Sequence, residues 1–135
     1  MTKPLDMSKQ PQKACFTIPV DIYRCDVYFL AGTYDDLLKK LKELELPQKM
    51  APTRTEASKY QALTMDCNNG NVIIWFPGET YPGTIVHECT HAANMILEYH
   101  DVVDAGNHEA LAYLAEYLFD SIMEGLLPEQ KKVKK

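Results

Sequence analysis

Apolar and polar residues alternate near the start of the chain in the way that strands do. Residues 16–22 carry an apolar side chain at every second position, which predicts a strand. Pro19 lies inside this segment and has no N–H to donate, so we expect a sheet edge or a break there. Residues 25–30 form a second extended segment that ends at Ala31-Gly32. The first elements of the fold are therefore expected to be two strands.

A helix and an irregular loop are predicted next. Leucines recur at helical spacing between positions 37 and 44, and Thr33 precedes them as a candidate N-cap. Pro47 is expected to stop this helix, because proline lacks the N–H that an α-helix needs in its interior. Residues 48–58 show no periodicity and predict an irregular loop.

The middle of the chain contains its clearest hairpin. Residues 60–67 and 72–76 are strand-like and are joined by the turn sequence Asn68-Asn69-Gly70-Asn71. The second strand reads Val-Ile-Ile-Trp-Phe and is apolar at every position. We therefore expect both faces of strand 72–76 to be covered by other parts of the protein.

Two helices are predicted after the hairpin. The first has Thr84 as its candidate N-cap and extends to about Tyr99. Residues 101–107 form a connection, in which Asp104 or Asn107 is a candidate cap for the second helix.

The second of these helices is amphipathic. Gly125, together with Pro128, is expected to end it. The position of Glu116 predicts a solvated side chain. The apolar stripe of this helix consists of Leu111, Leu114, Leu118 and Ile122.

The order of elements, β-β-α-β-β-α-α, predicts an α+β fold in which helices pack on one side of a small, mostly antiparallel sheet. A chain of 135 residues that is 46% hydrophobic suits one globular domain with one core. We expect a flexible N-terminal arm over residues 1–13, the domain over residues 14–128 and a basic tail over residues 129–135.

Charge and hydropathy narrow the classes of partner. The net charge of −5 argues against a nucleic-acid-binding surface. The longest apolar run, residues 72–76, is far too short to span a membrane, and residues 1–13 lack the apolar stretch of a signal peptide. These features predict a cytoplasmic protein that does not bind membranes, and they do not predict its oligomeric state.

The four cysteines form no C-x-x-C pair and are expected to be free thiols in a reducing compartment. Cys89 is expected to face the core, because it lies about 200° around the helix from His87. A Cys15–Cys25 disulfide or a thiol metal ligand is the alternative.

The residues that carry candidate chemistry are His87-Glu88-Cys89-Thr90-His91, which read H-E-x-x-H. Four residues are about one helical turn, so both imidazoles project from one face and can bind one Zn²⁺. Glu88, three residues before His91, borders the same face. The alternative is an amphipathic helix with histidines in its polar stripe, but the apolar residues around the motif predict a buried helix, in which imidazoles need partners.

A third zinc ligand has to come from another segment. Glu109, near the start of the last helix, is the leading candidate. Asp104 on the connection and His108, about 100° from Glu109 around the helix, are the alternatives. Glu109 is also explained without a metal, as an acid that complements the helix dipole.

Two other polar residues lie near these candidates in the sequence. Tyr113 follows Glu109 by one helical turn and is expected either to pack in the core or to hydrogen-bond a ligand or an oxyanion. His100 ends the motif helix and is expected to interact with the C-terminal end of its dipole rather than with a metal.

Over residues 72–123, the chain resembles the gluzincin metallopeptidases. The resemblance rests on H-E-C-T-H followed by a helix that begins N-H-E-A-L-A-Y. The chain is most similar to compact single-domain forms: minigluzincins, ImmA/IrrE-type and SprT-like peptidases, and small phage-encoded relatives. Larger gluzincins place an aspartate one turn beyond the ligand glutamate, where this chain has Ala112-Tyr113.

The resemblance implies a zinc-dependent peptidase that cleaves a peptide or protein substrate. It implies that His87, His91 and Glu109 bind the metal and that Glu88 acts on the attacking water. It also implies that strand 72–76 borders the active-site cleft, where an exposed sheet edge would pair with an extended peptide. The missing aspartate leaves backbone carbonyls to support the histidines.

Two other functions remain compatible with these residues. One is a zinc-stabilised binding or adaptor domain that keeps the ligands without turnover, which the small size and the missing aspartate favour. The other is a helical domain that binds no metal.

Overall fold

The computed structural model describes residues 13–102 and 108–127. Within these residues the fold is α+β, with a four-stranded sheet, as the sequence predicts. The strands are β1 (Ala14–Val20), β2 (Cys25–Ala31), β3 (Leu63–Asp66) and β4 (Val72–Phe76). The α-helices are α1 (Tyr34–Glu43), α2 (Arg54–Ala57), α3 (Pro82–Tyr99) and α4 (His108–Leu126), and short 3-10 turns lie at Asp21–Tyr23 and Gln48–Met50.

The sheet has the order β1-β2-β4-β3. β1 pairs antiparallel with β2 and β3 antiparallel with β4, whereas β2 and β4 are parallel. The prediction that Pro19 belongs to an edge strand is confirmed, because β1 is the outer strand on its side. β3 is the outer strand on the other side, and β4 lies between two partners.

Helices cover both faces of the sheet, so the prediction that they lie on one side is wrong. On one face, α3 and α4 pack against a core that includes Phe29 and Ile74. On the other face, α1 packs against a core that includes Ile73 and Trp75. All five residues of β4 are buried, which confirms that both faces of this strand are covered. Side chains alternate along a strand, so β4 contributes to both cores.

The local signals explain most helix ends, with two corrections. α1 begins as predicted, because Thr33 and Asp36 form a reciprocal capping box. α3 begins earlier than predicted: Tyr81 is its N-cap and Pro82 its first residue, so Thr84 lies inside the helix. Proline suits the first helical position because its fixed φ is helical and the missing N–H has no partner there. Gly125 lies within α4 and does not end it.

The predictions for β3, for Ile22 and for residues 48–58 need smaller changes. β3 is shorter than the predicted strand 60–67, and the turn that joins it to β4 has Asn68 and Gly70 at positive φ. Ile22 belongs to the first 3-10 turn rather than to β1, and its side chain is 81% exposed. The region 48–58 contains the second 3-10 turn and the single-turn helix α2.

Several predictions concern residues outside the described ranges. These are the N-terminal arm up to residue 12, the caps Asp104 and Asn107, the helix stop at Pro128, and the basic tail over residues 129–135. Lys13 is described, precedes β1 directly and forms an ion pair with Asp36 at 3.7 Å. Among residues 13–102 and 108–127, no helix has the length and apolar character needed to cross a membrane.

Candidate metal centre

The candidate site lies on the outer surface of α3. The inner side of this helix is apolar and buried, and Cys89 belongs to it with 1% exposure, as predicted. His87 and His91 lie on the opposite side and are exposed to solvent, so the expectation that the helix buries these imidazoles is wrong. Burial of the apolar stripe therefore fixes the direction in which both imidazoles point.

The two imidazoles converge. The Nε2 atoms of His87 and His91 are 3.1 Å apart, and the ring planes meet at 82°. Imidazole nitrogens are ligands that Zn²⁺ accepts, and two of them on one helix face could hold one ion together. The pair therefore fits two positions of a zinc coordination sphere.

The side chain of Glu88 lies toward β3 rather than toward solvent and is buried, with 6% exposure. Its carboxylate Oε1 accepts a hydrogen bond of 2.6 Å from the hydroxyl of Thr64 on β3. The same hydroxyl lies 3.2 Å from the backbone carbonyl oxygen of Glu88. β3 and α3 are thus joined by a buried polar contact at the residue that follows His87.

A cleft of about 510 Å³ opens at this point. Segment 59–62, which leads into β3, forms one wall, and the first turns of α3 form the other. His87 and Glu88 both line this cleft, together with Gly83 and Thr84. The candidate metal ligand His87 and the candidate base Glu88 are therefore reached from the same solvent-open space.

The strand beside the cleft is β3 and not β4. The expectation that strand 72–76 provides the sheet edge is wrong, because β4 pairs with β2 on one side and with β3 on the other. The hairpin places the shorter strand outside, so the free backbone edge next to α3 belongs to Leu63–Asp66.

The third ligand is not assembled in the part of the chain that the structure describes. Within residues 13–102 and 108–127, no three histidine, cysteine, aspartate or glutamate side chains form a group that could hold a metal ion. Glu109 lies in the first turn of α4 with an exposed side chain, and His108 precedes it. Asp104 lies outside the described residues. Glu109 therefore stays a prediction, although α4 packs against α3.

The other polar candidates lie away from the cleft. His100 caps the C-terminal end of α3, where its Nδ1 is 2.9 Å from the carbonyl oxygen of Ile96, in agreement with the prediction. Tyr113 is 66% exposed, so its expected place in the core is wrong. It lines a different cavity with Ile22 and Tyr117, and it is not among the residues that line the cleft. Glu116 is exposed, as predicted.

Thr64 is the site residue that the sequence did not reveal. It lies 24 positions before Glu88, so no local spacing connects the two. The one available signal in the sequence was a hydroxyl-bearing residue in the middle of a predicted strand. In the structure, Thr64 pairs with Ile74 and lies on the sheet face that α3 covers.

No family model, no curated protein and no solved structure matches this chain. The likeness to gluzincins consequently rests on the motif residues, and the geometry around His87, Glu88 and His91 has to carry any functional conclusion.

Proposed function

We propose that the protein is a zinc-dependent peptidase of the gluzincin type. The observation that carries this proposal is the 3.1 Å separation of the His87 and His91 Nε2 atoms at the rim of a cleft that also contains Glu88. A hydrogen bond between two exposed imidazoles also explains this distance, but it leaves unexplained the buried carboxylate of Glu88 in the same cleft.

His87 and His91 would bind the ion through their Nε2 atoms, and Glu109 is proposed as the third ligand. All three are ligand types that zinc accepts, and three protein ligands leave a fourth position open, as in catalytic zinc sites. A bound zinc ion would polarise the scissile carbonyl and make water a stronger nucleophile near neutral pH.

Glu88 would act as the general base and then as the general acid. Its free carboxylate oxygen accepts a proton from the attacking water while the water oxygen forms a bond to the carbonyl carbon. The same oxygen then delivers this proton to the amide nitrogen, the C–N bond breaks, and the products are a carboxylic acid and an amine. The position of Glu88 in the cleft supports both transfers.

The free edge of β3 supports an extended peptide as the substrate. An edge strand offers unpaired backbone groups, and a peptide can add to it as a further strand. The segment that leads into β3 lines the cleft together with His87 and Glu88, so a peptide that extends along the β3 edge would reach the cleft at this end of the strand.

The test is hydrolysis of unfolded protein and of a mixed peptide library by the zinc-loaded full chain. Glu88→Gln should abolish cleavage and still bind one zinc, because the histidines are untouched. Glu98→Gln, an exposed glutamate on the same helix, is the matched control and should cleave like the wild type. Cleavage by Glu88→Gln at the wild-type rate would refute the mechanism. Zinc binding without any cleavage by the wild type would point instead to an adaptor domain.

A further inference from the structure

The contact between Thr64 and Glu88 joins two elements that are distant in the sequence and adjacent in the structure. Thr64 belongs to the edge strand β3, and Glu88 to the second turn of α3. Thr64 Oγ1 lies 2.6 Å from Glu88 Oε1 and 3.2 Å from the backbone carbonyl oxygen of Glu88. A hydroxyl has one proton, so the shorter contact, to the carboxylate, is the main hydrogen bond.

Burying the Thr64–Glu88 pair beneath α3 is unfavourable in free energy compared with burying apolar side chains there. Within residues 13–102 and 108–127, the buried polar or charged residues are Thr64, Thr80 and Glu88. The positions around the pair on this sheet face are apolar, for example Ile74, which lies opposite Thr64. Burying a carboxylate that is held by one neutral donor costs desolvation free energy, and replacing such a polar pair by apolar side chains of similar volume is often neutral or stabilising. A role in fold stability therefore does not explain the pair.

The hydrogen bond leaves the two carboxylate oxygens of Glu88 in different environments. Oε1 is held by Thr64, and within the described ranges the carboxylate has no other hydrogen-bond partner. Oε2 is not one of the buried atoms without a partner, and Glu88 lines the cleft, so Oε2 is the oxygen that is open to it. Thr64 thus selects one side-chain orientation of Glu88.

We propose that Thr64 is the positioning residue for Glu88: its hydroxyl holds Oε1 so that Oε2 faces the cleft beside His87. This inference rests on the proposed peptidase function and adds a residue that acts through the base. It also places the support of the base on the strand whose free edge would receive the substrate.

The variants separate the hydroxyl from its packing. Thr64→Val keeps the shape and removes the donor, whereas Thr64→Ser keeps the donor and removes a methyl group. Thr80→Val is the matched control, because the Thr80 hydroxyl is buried and has no hydrogen-bond partner among the described residues. Each variant is measured as the full chain for zinc content, melting temperature, kcat and KM on a peptide that the wild type cleaves.

Thr64→Val is expected to lower kcat by about 10–100-fold, as loss of a supporting hydrogen bond does at metal sites, with KM changed by less than about twofold. Zinc content should stay at one per chain, and the melting temperature should fall modestly because the buried carboxylate loses its donor. Thr64→Ser should recover kcat to within about threefold of the wild type. Thr80→Val should leave kcat unchanged. An unaltered kcat in Thr64→Val, or equal losses in the valine and serine variants, would overturn the proposal.

A structural readout keeps the proposal separate from the peptidase activity. Crystal structures of the metal-free wild type and Thr64→Val compare the orientation of Glu88 directly. We expect the wild-type carboxylate on Thr64 and, in the valine variant, a carboxylate turned out into the cleft or in several orientations. If Glu88 keeps one orientation in both, the positioning role is wrong even if the protein is a peptidase. If the wild type cleaves nothing but Glu88 moves, the peptidase function fails and the positioning contact stands.

Discussion

The ring of Phe16 on β1 occupies the space in which a side chain at Gly125 would begin. A Cβ atom at position 125 would lie 2.6 Å and 2.7 Å from the Cε2 and Cε1 atoms of Phe16, far inside van der Waals contact. The same ring stacks on Phe29, with centroids 5.0 Å apart. Gly125 therefore permits the close approach of α4 to the sheet, and this explains a glycine inside a helix.

Gly125→Ala is expected to destabilise the protein by up to about 2 kcal/mol. Alanine is better than glycine in a helix by about 1 kcal/mol, but forcing a methyl group into a filled space costs about 1–3 kcal/mol. Urea unfolding measures the change. Phe16→Leu removes the ring atoms that the new methyl group would meet. In that background, Gly125→Ala should lower the free energy of unfolding by less, or should raise it. Equal destabilisation in both backgrounds would show that the ring is not the cause.

The sequence predicted the elements of this fold better than their arrangement. The alternation in β1 and the apolar run in β4 predict which side chains are buried, because successive side chains of a strand point to opposite faces of the sheet. The sheet face on which α1 packs depends on the path that the chain takes after β2. The residues of α1 do not determine that path. Position 125 misled the prediction because a glycine ends helices more often than it packs inside them.

The capping box of α1 predicts a loss of stability in acid. The backbone N–H of Thr33 donates to Asp36 Oδ2 at 2.8 Å and holds the pKa of this carboxyl below its ordinary value of 3.8, with a smaller contribution from Lys13. The folded state favours the ionised form, so the stabilisation is present above pH 3.8 and is lost as the pH falls below that value.

Asp36→Asn should therefore lower the free energy of unfolding near neutral pH and should differ less from the wild type in acid. Unfolding by urea at about pH 6 and about pH 3 measures this difference. Asp120→Asn, on an exposed position of α4, serves as the control. A gap between Asp36→Asn and the wild type that stays constant over this pH range would contradict the assignment.

The cysteines should differ sharply in reactivity. Cys15 is exposed, whereas burial raises the pKa of Cys67 to about 11 and of Cys89 to about 12, and also raises the pKa of Cys25. Thiolates are the reactive form, so the buried thiols should react slowly at about pH 8. An aromatic disulfide reagent should titrate one thiol in the native protein and all four in denaturant.

Cys15→Ser is the control for this titration and should abolish the fast native reaction. Two or more fast thiols in the native wild type would contradict the burial of Cys25, Cys67 or Cys89. A disulfide between Cys15 and Cys25 is already disfavoured by the strand register, because Cys15 pairs with Leu30 and Cys25 with Val20, at opposite ends of the ladder.

The candidate site was predictable where its residues share one helix. The spacing of His87 and His91 fixes their common side, and the apolar stripe of α3 fixes Cys89 in the core. The contact of Glu88 with Thr64 was not predictable, because it depends on which strand lies at the sheet edge beside α3. Glu109 remains a prediction for the same reason: a ligand on another helix depends on how the two helices meet.

The central claim is that His87 and His91 hold a zinc ion, and elemental analysis of the purified full chain after zinc titration and desalting tests it most directly. We predict one zinc per wild-type chain, loss of stoichiometric zinc in His87→Ala and in His91→Ala, and full retention in His100→Ala, which changes a histidine at the far end of the same helix. A wild-type chain without stoichiometric zinc, or a His91→Ala chain that keeps it, would contradict the claim.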